Sequence, residues 1–215
     1  MRIDFSNKKL FIFDFDGVLV DSIKIKTDAF AELYSHLPKR EISEIKAYHI
    51  KNGGMSRYEK IKFFEKKING TDISELELKK ISNLFSNITV NKVISAPEIT
   101  GAIDFIDLCL SKGKICAVNS ATPEFEIRRI VESRGWVKKF CIVLGSPNSK
   151  EENIDTILNL TNIAKKESIF FGDADSDLKA AKQKDIDFVG VGPWMKNKYK
   201  ANPGFQIIKD FTDLV

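Results

Sequence analysis

The chain has 215 residues, 34 of them basic and 30 acidic, with a formal net charge of +4 and 43% hydrophobic side chains. That length holds one full core with or without a smaller inserted unit, and the interspersed charges argue for a solvated surface rather than a nucleic-acid footprint. Nothing approaches the roughly 18 uninterrupted apolar residues of a membrane span, and Met1 to Lys9 lacks an apolar stretch of signal-peptide length, so a cytoplasmic protein with no membrane partner is expected.

The first element is an apolar strand over Leu10 to Phe15, which delivers Asp14 and Asp16 into a turn at Gly17. On an extended strand the two aspartates share a face, and glycine frees the backbone to turn away at once. Two close carboxylates repel unless a cation sits between them. From Ser22 to about Asn91 the pattern is helical, with Ile25, Ala29, Leu33 and Leu37 about one turn apart. Capping boxes at Ser56 with Glu59 and Ser74 with Glu77 mark helix starts, and about four short helices are expected. Asp21 and Ser22 read as a turn and a helix cap. His36 and His49, the two histidines of the chain, fall in amphipathic helix, which leaves no basis for a histidine zinc site or catalytic triad. Gly53-Gly54-Met55-Ser56-Arg57 is the most loop-like part, with Lys51 and His49 nearby. The planar fork of Arg57 suits a second anionic group on a ligand; the alternative is an exposed first-turn arginine. Lys26 and Thr27 are further candidates to face a cleft.

After Pro97, short apolar strands alternate with amphipathic helices, the signature of a parallel α/β sheet. The strands are expected over Ile115 to Val118, Phe140 to Leu144, Ile169 to Phe171 and Phe188 to Val191. The helices fall over Glu98 to Ser111, Pro123 to Arg134, Glu151 to Ile163 and Leu178 to Lys184. Thr122 before Pro123 reads as a cap with a first-turn proline, and Ser149 with Glu152 as another capping box. Cys109, Cys116 and Cys141 have apolar neighbours and no metal-ligand spacing, as buried free thiols would. Lys66-Lys67 and Lys196 to Lys200 are short solvated clusters. The chain therefore reads as an α/β domain interrupted after its first strand by a helical insertion.

Ligand sites of open α/β sheets lie beyond the carboxyl ends of the strands. Four such ends carry polar residues here: Asp14 and Asp16; Asn119-Ser120; the turn after Leu144 leading to Lys150; and Gly172-Asp173 with Asp175 and Asp177. Three or more carboxylates with a serine, one lysine and no histidine suit Mg²⁺ bridging to a substrate phosphate. That points to phosphoryl transfer, in which a carboxylate can attack phosphorus and split one displacement into two.

The series Asp14-Phe15-Asp16-Gly17-Val18-Leu19-Val20-Asp21-Ser22, Ser120, Lys150 and Gly172-Asp173-Ala174-Asp175-Ser176-Asp177 resembles the motifs of the haloacid dehalogenase (HAD) superfamily. The resemblance spans nearly the whole chain. It implies a Rossmann-like parallel-sheet core over 1–20 and 93–215 with an all-α cap over 21–92. It further implies a Mg²⁺-dependent phosphatase of a small phosphorylated metabolite, of sugar-phosphate or phosphoacid size, working as a monomer or homodimer. Asp14 would be the nucleophile and Asp16 the general acid and then base. Ser120 and Lys150 would meet the phosphate, with Asn119 and Arg57 as further substrate contacts. Mg²⁺ would be held by Asp14, the backbone carbonyl of Asp16, and Asp173, with Asp177 acting on metal waters or Lys150 and Asp175 as the alternative to Asp177. Lys150 lacks the proline that often follows this lysine in the family, and a first-turn surface lysine is the other reading. The cap opening and Ser120-Ala121-Thr122-Pro123 suggest the phosphoglycolate phosphatase-like branch. A mutase of the β-phosphoglucomutase kind ranks lower, because a cap histidine is expected at about position 26, where this chain has Lys26. The dehalogenases generally lack the second aspartate. A non-catalytic phosphate-binding module would be favoured by a missing motif acid, and none is missing.

Overall fold

A computed structural model describes residues 4–199 and 204–215, so Met1 to Ile3, Lys200 at the end of its cluster and Ala201 to Pro203 lie outside the described residues. The strands are β1 (Leu10–Phe13), β2 (Ile115–Pro123), β3 (Ile142–Ser146), β4 (Ser168–Gly172), β5 (Asp187–Val191) and β6 (Gln206–Ile208). They form one sheet in the order β3-β2-β1-β4-β5-β6, with every neighbouring pair parallel. Leu10 stands opposite Ile115 on one side and Ser168 on the other. A parallel sheet is covered on both faces, which is why β1 is apolar at every position. Phe11 and Phe13 pack with α5 (Ala102–Ser111) and α6 (Glu124–Ser133), while Leu10 and Ile12 pack with α7 (Lys150–Thr161) and α8 (Asp175–Lys184).

The helical insertion comprises α1 (Ile23–Leu33), α2 (Lys39–Lys51), α3 (Arg57–Asn69) and α4 (Glu75–Ile94). It has its own cluster, in which Phe30, Ile61, Phe64, Leu78 and Phe85 are buried. Ser56 and Glu59 form the expected capping box, and Ser74 accepts from the Glu77 N–H at 3.2 Å. The last turn of α4 crosses the expected boundary at 92, because Val90 and Val93 pack into the sheet's cluster. Arg134, just after α6, donates through Nη1 to the carbonyls of Val93, Ile94 and Ala96 at 3.1, 2.7 and 2.9 Å, pinning the return from the insertion.

Several local expectations are corrected. β1 stops at Phe13, because the chain turns at Asp14 to Gly17, and β2 continues to Pro123, so Thr122 lies in a strand and caps nothing. Glu98 bridges Val20 and the Ile99 N–H bonds the Leu19 carbonyl at 3.0 Å, which delays α5 to Ala102. β6 and α9 (Gly192–Lys198) were not anticipated. His36 sits in the turn between α1 and α2. Cys109 and Cys116 are buried, but Cys141 is exposed beside edge strand β3. Among the described residues no helix is long and apolar enough to cross a membrane.

Candidate active site

The ladder between β1 and β4 carries one residue further: the Asp14 N–H donates to the Phe171 carbonyl at 2.9 Å, which fixes the backbone beneath its buried carboxylate. Lys150 heads α7, started by the capping box of Ser149 and Glu152. Its ammonium lies 3.0 Å from Asp14 Oδ1 and also bonds Asp177 Oδ1. Lys150 is 6% exposed, which rules out the surface-lysine reading. Asp177, on the first turn of α8, accepts the Ala174 N–H through Oδ2 at 3.0 Å. It packs so tightly on Gly172 that a Cβ there would come within 2.6 Å of Asp177 Cγ. Asp175 instead faces outward, bonded to Lys198 and, at 2.7 Å, to the Tyr199 hydroxyl.

Asp14, Asp173 and Asp177 each offer an oxygen, and these atoms lie within 4.8 Å of one another. Burial pushes the Asp14 carboxyl up to about 7, with Lys150 opposing and Asp177 and Asp16 reinforcing. Burial, then Asp14 and Asp177, raise Asp173 well above the usual carboxylate range. Burial also works against the charge of Lys150, but Asp14 and Asp177 outweigh it and hold the ammonium above its ordinary value. Two of the three crowded carboxylates, Asp14 and Asp177, share one ammonium, and the donors are all hard oxygens. This set fits a small divalent cation.

Asp16 belongs to a second group. Ser22 Oγ donates to its Oδ1 at 2.6 Å, Thr122 Oγ1 donates to its Oδ2 at 3.1 Å, and Lys26 of α1 pairs with the same Oδ2. Lys26 also donates to Thr122 Oγ1 at 2.6 Å. Burial would raise the Asp16 carboxyl, yet Lys26 and the two hydroxyls hold it below its ordinary value. The turn that brings Asp16 here requires Gly17, whose φ is +80° and whose missing Cβ leaves room for Asp173 Oδ2. Ser22 occupies the N-cap position of α1 but makes no side-chain cap; its hydroxyl serves Asp16 instead. Sequence reading did not give Ser22 and Thr122 this role, and their only signal was proximity to the motifs.

Ser120 is buried within β2, where the register against β3 shifts between Asn119 and Pro123, and its Oγ accepts the Thr122 N–H at 3.1 Å, leaving its own O–H to donate. Asn119 does not face the cleft. Its Nδ2 donates to the Lys150 carbonyl at 2.9 Å and its Oδ1 accepts from Asn153 at 3.0 Å, so it positions Lys150 rather than meeting substrate. Arg57 departs from both of its readings. It is 5% exposed, ion-paired with Glu126 of α6 and bonded to Ser86 Oγ at 2.6 Å, so its fork is already filled.

Between the strand ends and the cap lies a cleft of about 620 Å³, with Asp14, Asp16 and Asp173 on its floor and Lys26, His49 and Lys60 among the helical residues above. Cavities of this size suit small molecules. The model of the haloacid dehalogenase-like hydrolase family matches residues 11–191. The chain belongs to this family. As a haloacid dehalogenase-like hydrolase it is 24% identical over 201 residues to a phosphoglycolate phosphatase of Psychrobacter arcticus, a match spanning 86% of this chain and 84% of that one. Its fold is similar to a β-phosphoglucomutase of Clostridium difficile, with a TM-score of 0.75, 20% identity and coverage of 97% and 93% of the two chains. It is likewise similar to a predicted phosphoglycolate phosphatase of Haemophilus somnus, with a TM-score of 0.72, 18% identity and 98% of each chain covered. Phosphatase and mutase thus share this hydrolase's architecture, and the fold alone does not separate them.

Proposed function

We propose that this chain is a cytoplasmic, Mg²⁺-dependent phosphatase of small phosphorylated metabolites that works through an aspartyl-phosphate. The observation that carries this reading is the meeting of Asp14 with Lys150, Asp173 and Asp177 at the end of β1, with Asp16 in the same cleft. The Asp14 carboxylate attacks phosphorus as the bond to the leaving oxygen breaks, and that oxygen takes, at Asp16, the proton held by the Asp16–Lys26 pair. The pair then takes a proton back through Asp16 from water as the water oxygen attacks the phosphoryl group, which releases phosphate and restores Asp14. Lys150 and the Ser120 hydroxyl hold the phosphoryl oxygens in line with Asp14. Asp14, Asp173 and the Asp16 carbonyl would hold Mg²⁺, with Asp177 beside them, and the ion would offset the negative charge gathered there. Burial of Asp14 and partial burial of Asp16 keep bulk water from competing for these groups.

A mutase reading shares these residues. Against it, position 26, where the family resemblance calls for a histidine in mutases, carries Lys26, and its ammonium is bound to Asp16. The test measures phosphate release from p-nitrophenyl phosphate and a panel of sugar phosphates and phosphoacids, with Mg²⁺ and with chelator. Mg²⁺-dependent release that falls by about 10³-fold or more in Asp14→Asn is expected, since loss of a nucleophile removes most of the rate. Release that survives Asp14→Asn sinks the aspartyl-phosphate, and interconversion of sugar phosphates without release moves the reading to a mutase.

A further inference from the structure

Five lysine and arginine side chains line the cleft, and among the described residues four of them have carboxylate partners. Lys26 pairs with Asp16, Arg57 with Glu126, and Lys24 and Lys46 share Asp28 at 2.5 and 3.2 Å. Lys60 has none. It is only 3% exposed, and the contact its ammonium makes is with His49 Nδ1 at 3.1 Å. Burial, with Lys26 adding its charge, brings Lys60 down to about 7, and burial with Lys60 and Lys26 brings His49 down to about 3. The imidazole is therefore neutral, with its Nδ1 in hydrogen-bond reach of the amine. Charged side chains are seldom buried without a counter-charge, because desolvation is repaid only by pairing.

We propose that Lys60, oriented by His49, is the specificity residue of this cleft and receives a second anionic group, a carboxylate or a second phosphate, on the leaving-group half of the substrate. The assignment rests on the phosphatase reading and narrows its substrate class. The floor of the cleft is committed to the reacting phosphoryl group, whereas Lys60 projects from α3 of the cap, so the two anions of one small molecule would be met from opposite walls. Arg57, the sequence-level candidate for this task, is closed off by Glu126; Lys60, one helical turn further along α3, is open to it. An anion seated there supplies the counter-charge that the protein withholds.

Three substrates of similar size separate the alternatives: ethyl phosphate, phosphoglycolate and ethylene glycol bisphosphate, each assayed for Mg²⁺-dependent phosphate release. A charge-assisted contact in a buried site discriminates by about tenfold or more. The wild type is expected to favour one of the doubly anionic substrates over ethyl phosphate by at least that factor in kcat/KM, chiefly through KM. Which of the two it favours distinguishes carboxylate from phosphate. In Lys60→Gln the ratio falls to near one, and in Lys60→Arg much of it returns. A wild type that treats all three alike overturns the assignment without recourse to any variant, as does a preference that survives in Lys60→Gln; both leave the phosphatase reading standing. Absence of release from every substrate by folded wild type removes the phosphatase reading, and this assignment with it.

Discussion

Lys60 is carried in the folded protein at the expense of stability, and pH exposes it. Its pKa falls from an ordinary 10.5 to about 7 on folding, through burial and then Lys26. Below pH 7 the lysine is charged in both states and the desolvation penalty is complete. Between 7 and 10.5 the unfolded chain binds a proton that the folded protein has lost, so stability rises with pH across that window. Lys60→Met is accordingly expected to raise Tm by about 5 °C at pH 6, with the gain fading as pH approaches 10.5. A gain independent of pH would mean that packing, not charge, is responsible. The catalytic candidates were legible at this scale because each follows an apolar strand or heads a capped helix, where a motif is contiguous. Lys60 and His49 were not, since α3 and α2 bring them together across a loop and no local pattern records the meeting. Thr122 was misread for a related reason: before a proline, a threonine looks like a cap until the strand is seen to run through it.

Helix α6 acts on the cap at two places. Glu126 near its start takes Arg57 of α3 and, at 2.6 Å, the Ser86 hydroxyl of α4, while Arg134 just beyond its end pins the last carbonyls of α4. Arg57→Met leaves Glu126 charged and unpaired in the interior, at a cost of about 3–5 kcal/mol in urea unfolding. Adding Glu126→Leu is expected to recover most of that loss, and a double variant no more stable than the single one would show that the pair is not the cause. Gly172 matters to β4 for a different reason, since its lack of a side chain lets Asp177 close on the strand. Gly172→Ala is expected to displace Asp177 from Lys150 and weaken Mg²⁺ binding by about tenfold or more, as a lost supporting contact around a metal does, read by calorimetric titration. Elements of ten or more residues could be read from periodicity. β6 spans three residues and α9 seven, too short for a period to register.

At the scale of the molecule, alternation of strand and helix after Pro97 predicted the parallel sheet, and the place of β1 within it follows from the apolar run on both its faces. Neighbour order did not follow from pattern, because any two buried strands look alike in sequence. β1 lies between β2 and β4, with Leu10 against Ile115 and Ser168. During synthesis this most apolar strand therefore emerges first and acquires its second partner only when residues 168–172 have followed it out of the ribosome. At ordinary elongation rates the wait is on the order of ten seconds. Through that interval Leu10-Phe11-Ile12-Phe13 has no β4 to pair with, so how long this apolar segment waits for its full set of partners is set by the order of the strands rather than by the stability of the finished fold.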